Sequence, residues 1–169
     1  DKTIRVWQLA AQGGLASTAR LAQTLRVPID AGHEGQLFAL ALSPDGKRIA
    51  AGGWTCWDWE RAGCVYVFDV DSGEMVRRLR GLPDAVSALA WSADGRYLAI
   101  GLQGRAGLRV LRTDTFEEVA ADRAFEDKVM ELAYDSQGRL AAVALDGRIR
   151  LYRSDHRLHG RVSVEGGRQ

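Results

Sequence analysis

Three stretches of the chain repeat one hydrophobic pattern: "LFALALSPDGKRIAAGG", "VSALAWSADGRYLAIGL" and "VMELAYDSQGRLAAVAL". Aligned on Gly46, Gly95 and Gly138, each has leucine six residues earlier (Leu40, Leu89, Leu132) and alanine five earlier (Ala41, Ala90, Ala133). A large apolar residue follows: Leu42, Trp91 or Tyr134. After the glycine come a basic residue and a second apolar run, one residue nearer in the third copy. Each stretch therefore predicts two short strands joined by a tight turn. Asp45-Gly46 and Asp94-Gly95 supply the left-handed conformations such turns need, and Gln137-Gly138 does so less ideally.

A third strand follows each pair: "VYVF" (65–68), "LRVL" (108–111) and "IRLY" (149–152). "IRVW" at 4–7 aligns with them. A more polar fourth strand is predicted near 74–80, 117–123 and 158–164, with its equivalent within 17–29. Four strands recurring every 40–50 residues or so is the signature of a β-propeller. A β-sandwich of hairpins would not keep leucine and alanine in register. The expectation is all-β: a partial β-propeller of about three and a half four-stranded antiparallel blades. The single portion 1–169 divides into a half blade (1–29) and blades at 30–80, 81–123 and 124–169. The first strand of each unit has small residues on one side (Ala39, Ala41) and large ones on the other (Phe38, Leu40, Leu42), so both faces are expected to be buried. Because the half unit lacks its first two strands, we expect a portion of a longer ring that exposes a blade face when alone.

Several of these residues resemble the WD40 repeat. "DKTIRVW" (1–7) is similar to the end of such a repeat, "GHEG" (32–35) to its Gly-His opening and "SPDGKRIAAGG" (43–53) to its first hairpin. "VFD" (67–69) stands where the Trp-Asp pair would be. The resemblance covers essentially the whole chain and implies a rigid platform for proteins or peptides. It also implies a histidine, a serine or threonine, a tryptophan and a turn aspartate bonded together in each blade. This chain departs from that set. Leu82 and Phe125 replace His33 in later units, Gln8 follows Trp7, and Phe68, Leu111 and Tyr152 hold the other tryptophan positions. Asp146 fits the turn aspartate, without its histidine. The blades are thus expected to rely on apolar packing, at roughly 1.5–3 kcal/mol for each large side chain buried. The wording of 81–83, 107–110, 120–123 and 146–152 resembles the WD-repeat region of bacterial multidomain proteins that also carry a caspase-like cysteine peptidase domain. This implies a larger bacterial parent and, as an alternative, a regulatory region attached to such a peptidase.

Charge removes other classes. Lys+Arg 23 against Asp+Glu 22 leaves a net +1, and the arginines are dispersed, so neither nucleic acid nor membrane is an expected partner. No apolar run approaches the roughly 20 residues that cross a bilayer. Two cysteines do not define a disulfide scaffold. The expected location is cytoplasmic, with the periplasm as alternative.

No cofactor, metal or catalytic residue is expected. Cys56 and Cys64 could approach His33, but a nucleophilic thiol needs an activating base and none is evident. A Cys56–Cys64 disulfide is preferred, provided the compartment is oxidising. His156 and His159 read as solvated surface histidines. The arginines of "DGRIRLY" alternate with Ile149 and Leu151 and read as the exposed edge of a half-buried strand. A lactonase-like hydrolytic propeller with a channel metal is the enzymatic alternative. It needs inward-facing ligands, and Asp84, Asp127 and His33 are not a recognisable set.

The fourth-to-first and second-to-third strand connections are expected on one rim, where function concentrates. There "GGWTCWDWERAGC" (52–64) makes an enlarged loop, longer than its counterparts. Either its rings pack on themselves, or Trp54, Trp57 and Trp59, ringed by Asp58, Glu60 and Arg61, anchor an interface. On the second reading His33 and Arg105 complete the protein-binding surface, and the remaining propeller blades of the parent chain are further partners.

Overall fold

The computed structural model describes residues 2–10, 18–29, 32–56 and 62–163. Every described element is a strand. β1 (Thr3–Ala10) and β2 (Thr18–Arg26) form a two-stranded sheet. β3 (Gln36–Leu42), β4 (Arg48–Trp54), β5 (Gly63–Asp69) and β6 (Met75–Leu82) form the first four-stranded blade, in that order. β7 (Val86–Trp91), β8 (Tyr97–Leu102), β9 (Leu108–Arg112) and β10 (Glu118–Asp122) form the second. β11 (Val129–Tyr134), β12 (Leu140–Ala144), β13 (Arg148–Tyr152) and β14 (Leu158–Ser163) form the third. All pairings are antiparallel. The partial propeller read from the repeat is the fold observed.

The repeated turns follow their residues. Gly46, Gly95 and Gly138 all have φ between 72° and 76°. Ser92 Oγ donates to Asp94 Oδ1 at 2.6 Å and accepts the Tyr97 N–H at 2.9 Å. Ser43 and Asp45 do the same in the first blade. In the third blade Asp135 takes the serine's place and accepts the Arg139 N–H directly, at 2.8 Å. One carboxylate does the work of two side chains, which accommodates the missing residue.

The blades stack through the period-2 alternation of their strands. β7 lies beside both β3 and β11, so the first strands line the inside of the arc. Leu89 and Trp91 point back to the first blade and join Ala39, Val65 and Val67. Ala88 and Ala90 point forward and join Val129 and Leu132. Trp91 Nε1 donates to Ala41 O at 3.1 Å, and Ser87 Oγ to Val129 O at 2.6 Å. Glycine sets the approach: a Cβ on Gly52 would fall 2.7 Å from Val86, and one on Gly101 2.7 Å from Val129.

Two expectations need correction. The first strands are not all buried on both faces, since Phe38, Leu40 and Leu42 of β3 are exposed. β1, β2 and Val27 cover β4 and β5 and reach Leu37 of β3, but no described strand covers Phe38, Leu40 and Leu42. The arginines of β13 are also not its exposed edge. Arg150 is fully buried, while Leu151 is exposed and Ile149 half-buried. The alternation was read correctly but its inner side was reversed.

Candidate functional site

In all three blades the two expected loop sets meet on one rim. Gly35 N–H donates to Trp54 O at 2.7 Å, Gln103 N–H to Ala85 O at 2.9 Å, and Leu145 N–H to Lys128 O at 3.0 Å. The loop before each first strand is thus tied to the end of the second.

Chemistry at the rim differs blade by blade. In the first, Cys56 and Cys64 form a disulfide with their Cα atoms 5.7 Å apart. Both are buried, and the preferred pairing is the one observed. The strand ends brought level by the β4–β5 register close the loop at its base. Glu34, only 1% exposed, accepts the Cys56 N–H at 2.6 Å, joining the two rim loops a second time. Arg78 Nε lies 3.1 Å from Cys56 Sγ. Glu34, inside "GHEG", is not among the residues singled out from the sequence. Its burial depends on a backbone donor twenty-two positions away and had no local signal.

In the third blade, Arg150 on β13 donates to both carboxylate oxygens of Asp146, at 2.6 Å (Nη2) and 3.3 Å (Nη1). Nη2 also reaches Ala124 O at 3.1 Å. The guanidinium lies over the Phe125 ring, 3.8 Å from its centroid. The Arg150 hydrogen bond holds the Asp146 carboxyl below the usual carboxylate range. Phe125 is the residue that replaces histidine. The expectation that this blade rests on apolar packing is corrected here: a buried ion pair stacked on an aromatic ring occupies the corresponding place. The second blade has a lesser version, in which Arg109 Nη1 donates to Ala106 O and Leu108 O at 3.1 and 2.9 Å.

Among the expected site residues, the structure brings His33 and Trp54 together. Gln36 pairs with Trp54 across the β3–β4 ladder, and His33 Nδ1 lies 3.2 Å from Gln36 Oε1. His33 is exposed and Trp54 half-buried. Arg105 is exposed in the β8–β9 turn, the same connection one blade along. Trp57, Asp58, Trp59, Glu60 and Arg61 lie outside the described residues.

Asp84 and Asp127 cap their own loops, accepting the N–H of Ala85 and Lys128 at 2.7 Å each. Among the described residues no group of three or more His, Cys, Asp or Glu is placed to hold a metal ion. His156 is not a solvated surface histidine. It stacks edge-on against Tyr97, with centroids 4.6 Å apart, and its Nε2 lies 3.1 Å from Tyr134 Oη. His159 is exposed, as expected.

The family model for WD40 (WD domain, G-beta repeat) matches residues 23–69 and 73–105. Those two segments are similar to WD40 repeats, and the fold of the chain is that of part of a β-propeller. Over 75% of its length it is similar to the crystal structure of RRP9 WD40 repeats, with a TM-score of 0.66 and 18% identity, covering 38% of that chain. It is 30% identical over 67 residues to a WD repeat-containing protein of Schizosaccharomyces pombe, and 28% identical over 99 residues to coronin-7 of Rattus norvegicus. Those matches span 40% and 59% of this chain but only 15% and 10% of the relatives. The third blade, where Phe125 and Arg150 replace the usual set, lies outside the matched segments.

Proposed function

We propose that this chain is a non-catalytic WD40 scaffold or sensor platform within a larger protein, docking a protein or peptide on the rim that carries His33, Trp54 and Arg105. The observation that carries the reading is the double tie between the two rim loops of the first blade, Gly35 to Trp54 and Glu34 to Cys56. An enlarged loop is thereby held at its base by two hydrogen bonds and a disulfide, which reduces the entropy lost on binding. Trp57 and Trp59, with Asp58, Glu60 and Arg61 around them, are the proposed anchors.

The remaining blades of the parent chain are proposed to cover β3, whose Leu40 stands where Leu89 and Leu132 are buried. The finer resemblance, to a bacterial parent with a caspase-like peptidase, rests on the residues quoted above, while the relatives named here are eukaryotic. Nucleic acid and membrane are not proposed partners, on the charge balance. A cytoplasmic location is proposed with the periplasm as the alternative, and the Cys56–Cys64 bridge favours the alternative, since cytosolic thiols are kept reduced. Thiol counting on protein isolated under non-reducing conditions separates cytoplasm from periplasm.

The rim is tested by affinity capture with the chain and its Trp57→Ala/Trp59→Ala variant. A partner held by the first and lost by the second, with unchanged melting, is the expected result. A variant that retains every partner removes the rim from the reading.

A further inference from the structure

The half blade meets the first full blade as the full blades meet one another, but only along the outer half of the interface. Val65 and Val67 of β5 and Leu79 of β6 cluster with Leu98, Ile100 and Leu111 of the second blade. Ile4 and Val6 of β1 and Leu25 of β2 cluster in the same way with Ile49, Ala51 and Phe68 of the first. The pairing repeats as well, since Ile4 stands opposite Leu25 as Val65 stands opposite Leu79. β1 and β2 are thus the third and fourth strands of a blade by packing as well as by sequence.

The inner half differs. Between full blades it is a layer of small residues from the first and second strands. Ala39, Ala41 and Ala50 cluster with Leu89 and Trp91, and Ala88, Ala90 and Ala99 with Leu132. At the half blade no described strand supplies this layer. Leu40 and Leu42 are exposed, and β2 is the only described strand beside β1 in its sheet. A recess of about 210 Å3 opens between β1 and β3, lined by Ile4, Leu37, Phe38 and Leu40 among others.

We propose that this recess seats a β-hairpin of the parent chain. The second strand of the hairpin pairs antiparallel with β1, as β4 pairs with β5, and its first strand lies over β3. This rests on the reading of the chain as part of a longer ring, and it states what covers β3. The occupant is selected by the interface that continues beside it. Gly52 stands opposite Val65 and Ala50 opposite Val67. Carried over to β1, that register puts a glycine opposite Ile4 and an alanine opposite Val6. The glycine faces Leu37, which holds the place of Val86, three residues before the repeat leucine. A Cβ on Gly52 would fall 2.7 Å from Val86, so Leu37 makes the same demand for a bare backbone. Small residues of the first strand then cover Leu40 and Leu42. A second copy offers no such hairpin among its described strands. Its full blades are already four-stranded, and its two-stranded sheet presents Ile4 and Val6 rather than small residues.

The probe is a fluorescein-labelled peptide with the sequence of residues 86–102, the β7–β8 hairpin, whose small face carries Ala88, Ala90, Ala99 and Gly101. Its binding to the chain is read by anisotropy. The expected result is saturable binding, with slower amide exchange along β1 in the complex. Leu40→Glu should weaken binding at least about tenfold, because the hairpin would bury its charge unpaired. Gly101→Leu in the peptide should weaken it to a similar degree, at least about tenfold, through overpacking against Leu37. Val143→Glu, at an exposed apolar position of the third blade, should bind the probe unchanged, which separates the recess from general apolar attraction. The Trp57→Ala/Trp59→Ala rim variant should also bind unchanged, so failure of the rim reading leaves this one standing. Wild-type affinity in Leu40→Glu, equal binding of the Gly101→Leu peptide, loss of binding in Val143→Glu, or unchanged exchange in β1 overturns the proposal. No binding by a monomeric chain overturns the hairpin and leaves the longer ring standing. No binding by a dimer that Leu40→Glu dissociates puts a second copy on β3 and removes both.

Discussion

Leu40 and Leu89 hold the same place in two copies of one repeat, on first strands with the same neighbours in sequence. Leu89 is 7% exposed and Leu40 is 55% exposed; the third copy, Leu132, is 4% exposed. The side chains have the same chemistry and opposite surroundings. Leu89 and Leu132 each meet the face of a preceding blade, while on the corresponding side of β3 the described pair β1 and β2 packs on β4 and β5 and leaves Leu40 exposed. A repeat encodes burial by a neighbour, and each copy states that requirement whether or not the described strands meet it.

The largest effect is expected at the closed side of this comparison, between the second and third blades. Arg150→Met strands the Asp146 carboxylate, whose side chain is 2% exposed. Leaving one partner of a buried pair alone costs about 3–5 kcal/mol. Adding Asp146→Asn removes the stranded charge and should recover much of the loss. Denaturant melts of the single and double variants measure both. A single variant as stable as the parent would mean that the pair contributes nothing to the interface.

Next comes the comparison itself. Leu89→Ala should cost roughly 2–5 kcal/mol, through lost burial and the cavity left behind. Leu40→Ala should stay within about 0.5 kcal/mol, as exposed positions do. Equal losses would show that β3 is covered in solution, and concentration-dependent melting would then identify a second copy as the cover.

Much of the fold was legible because a propeller blade repeats its local rules. The turn glycines, the leucine-alanine pair and the third-strand motif each recur, so the errors in one copy are checked by the others. The inner side of β13 was misread because its alternation has no local sign. Arg150 is buried only because Asp146 and Phe125 surround it, and Asp146 was weighed as half of a histidine pair. The rim was legible as a position, through strand counting. Its fastenings were not, since the Glu34–Cys56 bond joins residues far apart in sequence. Trp57 to Arg61 remain a reading of the sequence alone.

The rim fastening should have the third-largest effect. Replacing Cys56 and Cys64 together by alanine, or reducing them, frees a loop with a sequence separation of 8. Loop-closure entropy sets the loss at roughly 2–3 kcal/mol. The variant should also become sensitive to proteolysis between β4 and β5 while the third blade stays resistant. Uniform sensitivity would instead mean that the bridge supports all the blades.

The smallest effect is a pH dependence confined to the interface between the second and third blades. Burial holds the His156 imidazole below its ordinary value, opposed by the nearby Asp155 and Asp94 carboxylates. A depressed folded value means that the unfolded chain takes up the proton first. The contribution is therefore complete above the unfolded value of about 6.5 and is lost as pH falls through the folded one. Asp94 acts further down. The Ser92 hydroxyl, first among its partners, holds it to about 2, so its contribution is complete above about 4 and is lost toward 2. Melting followed from pH 8 to 5 should fall in the parent and be flatter in His156→Asn. Asparagine tolerates the left-handed backbone there, where φ is 62°. The readout is the slope, because losing the stack on Tyr97 lowers stability at every pH. An unchanged slope in the variant would move the sensitivity to another group and away from this interface.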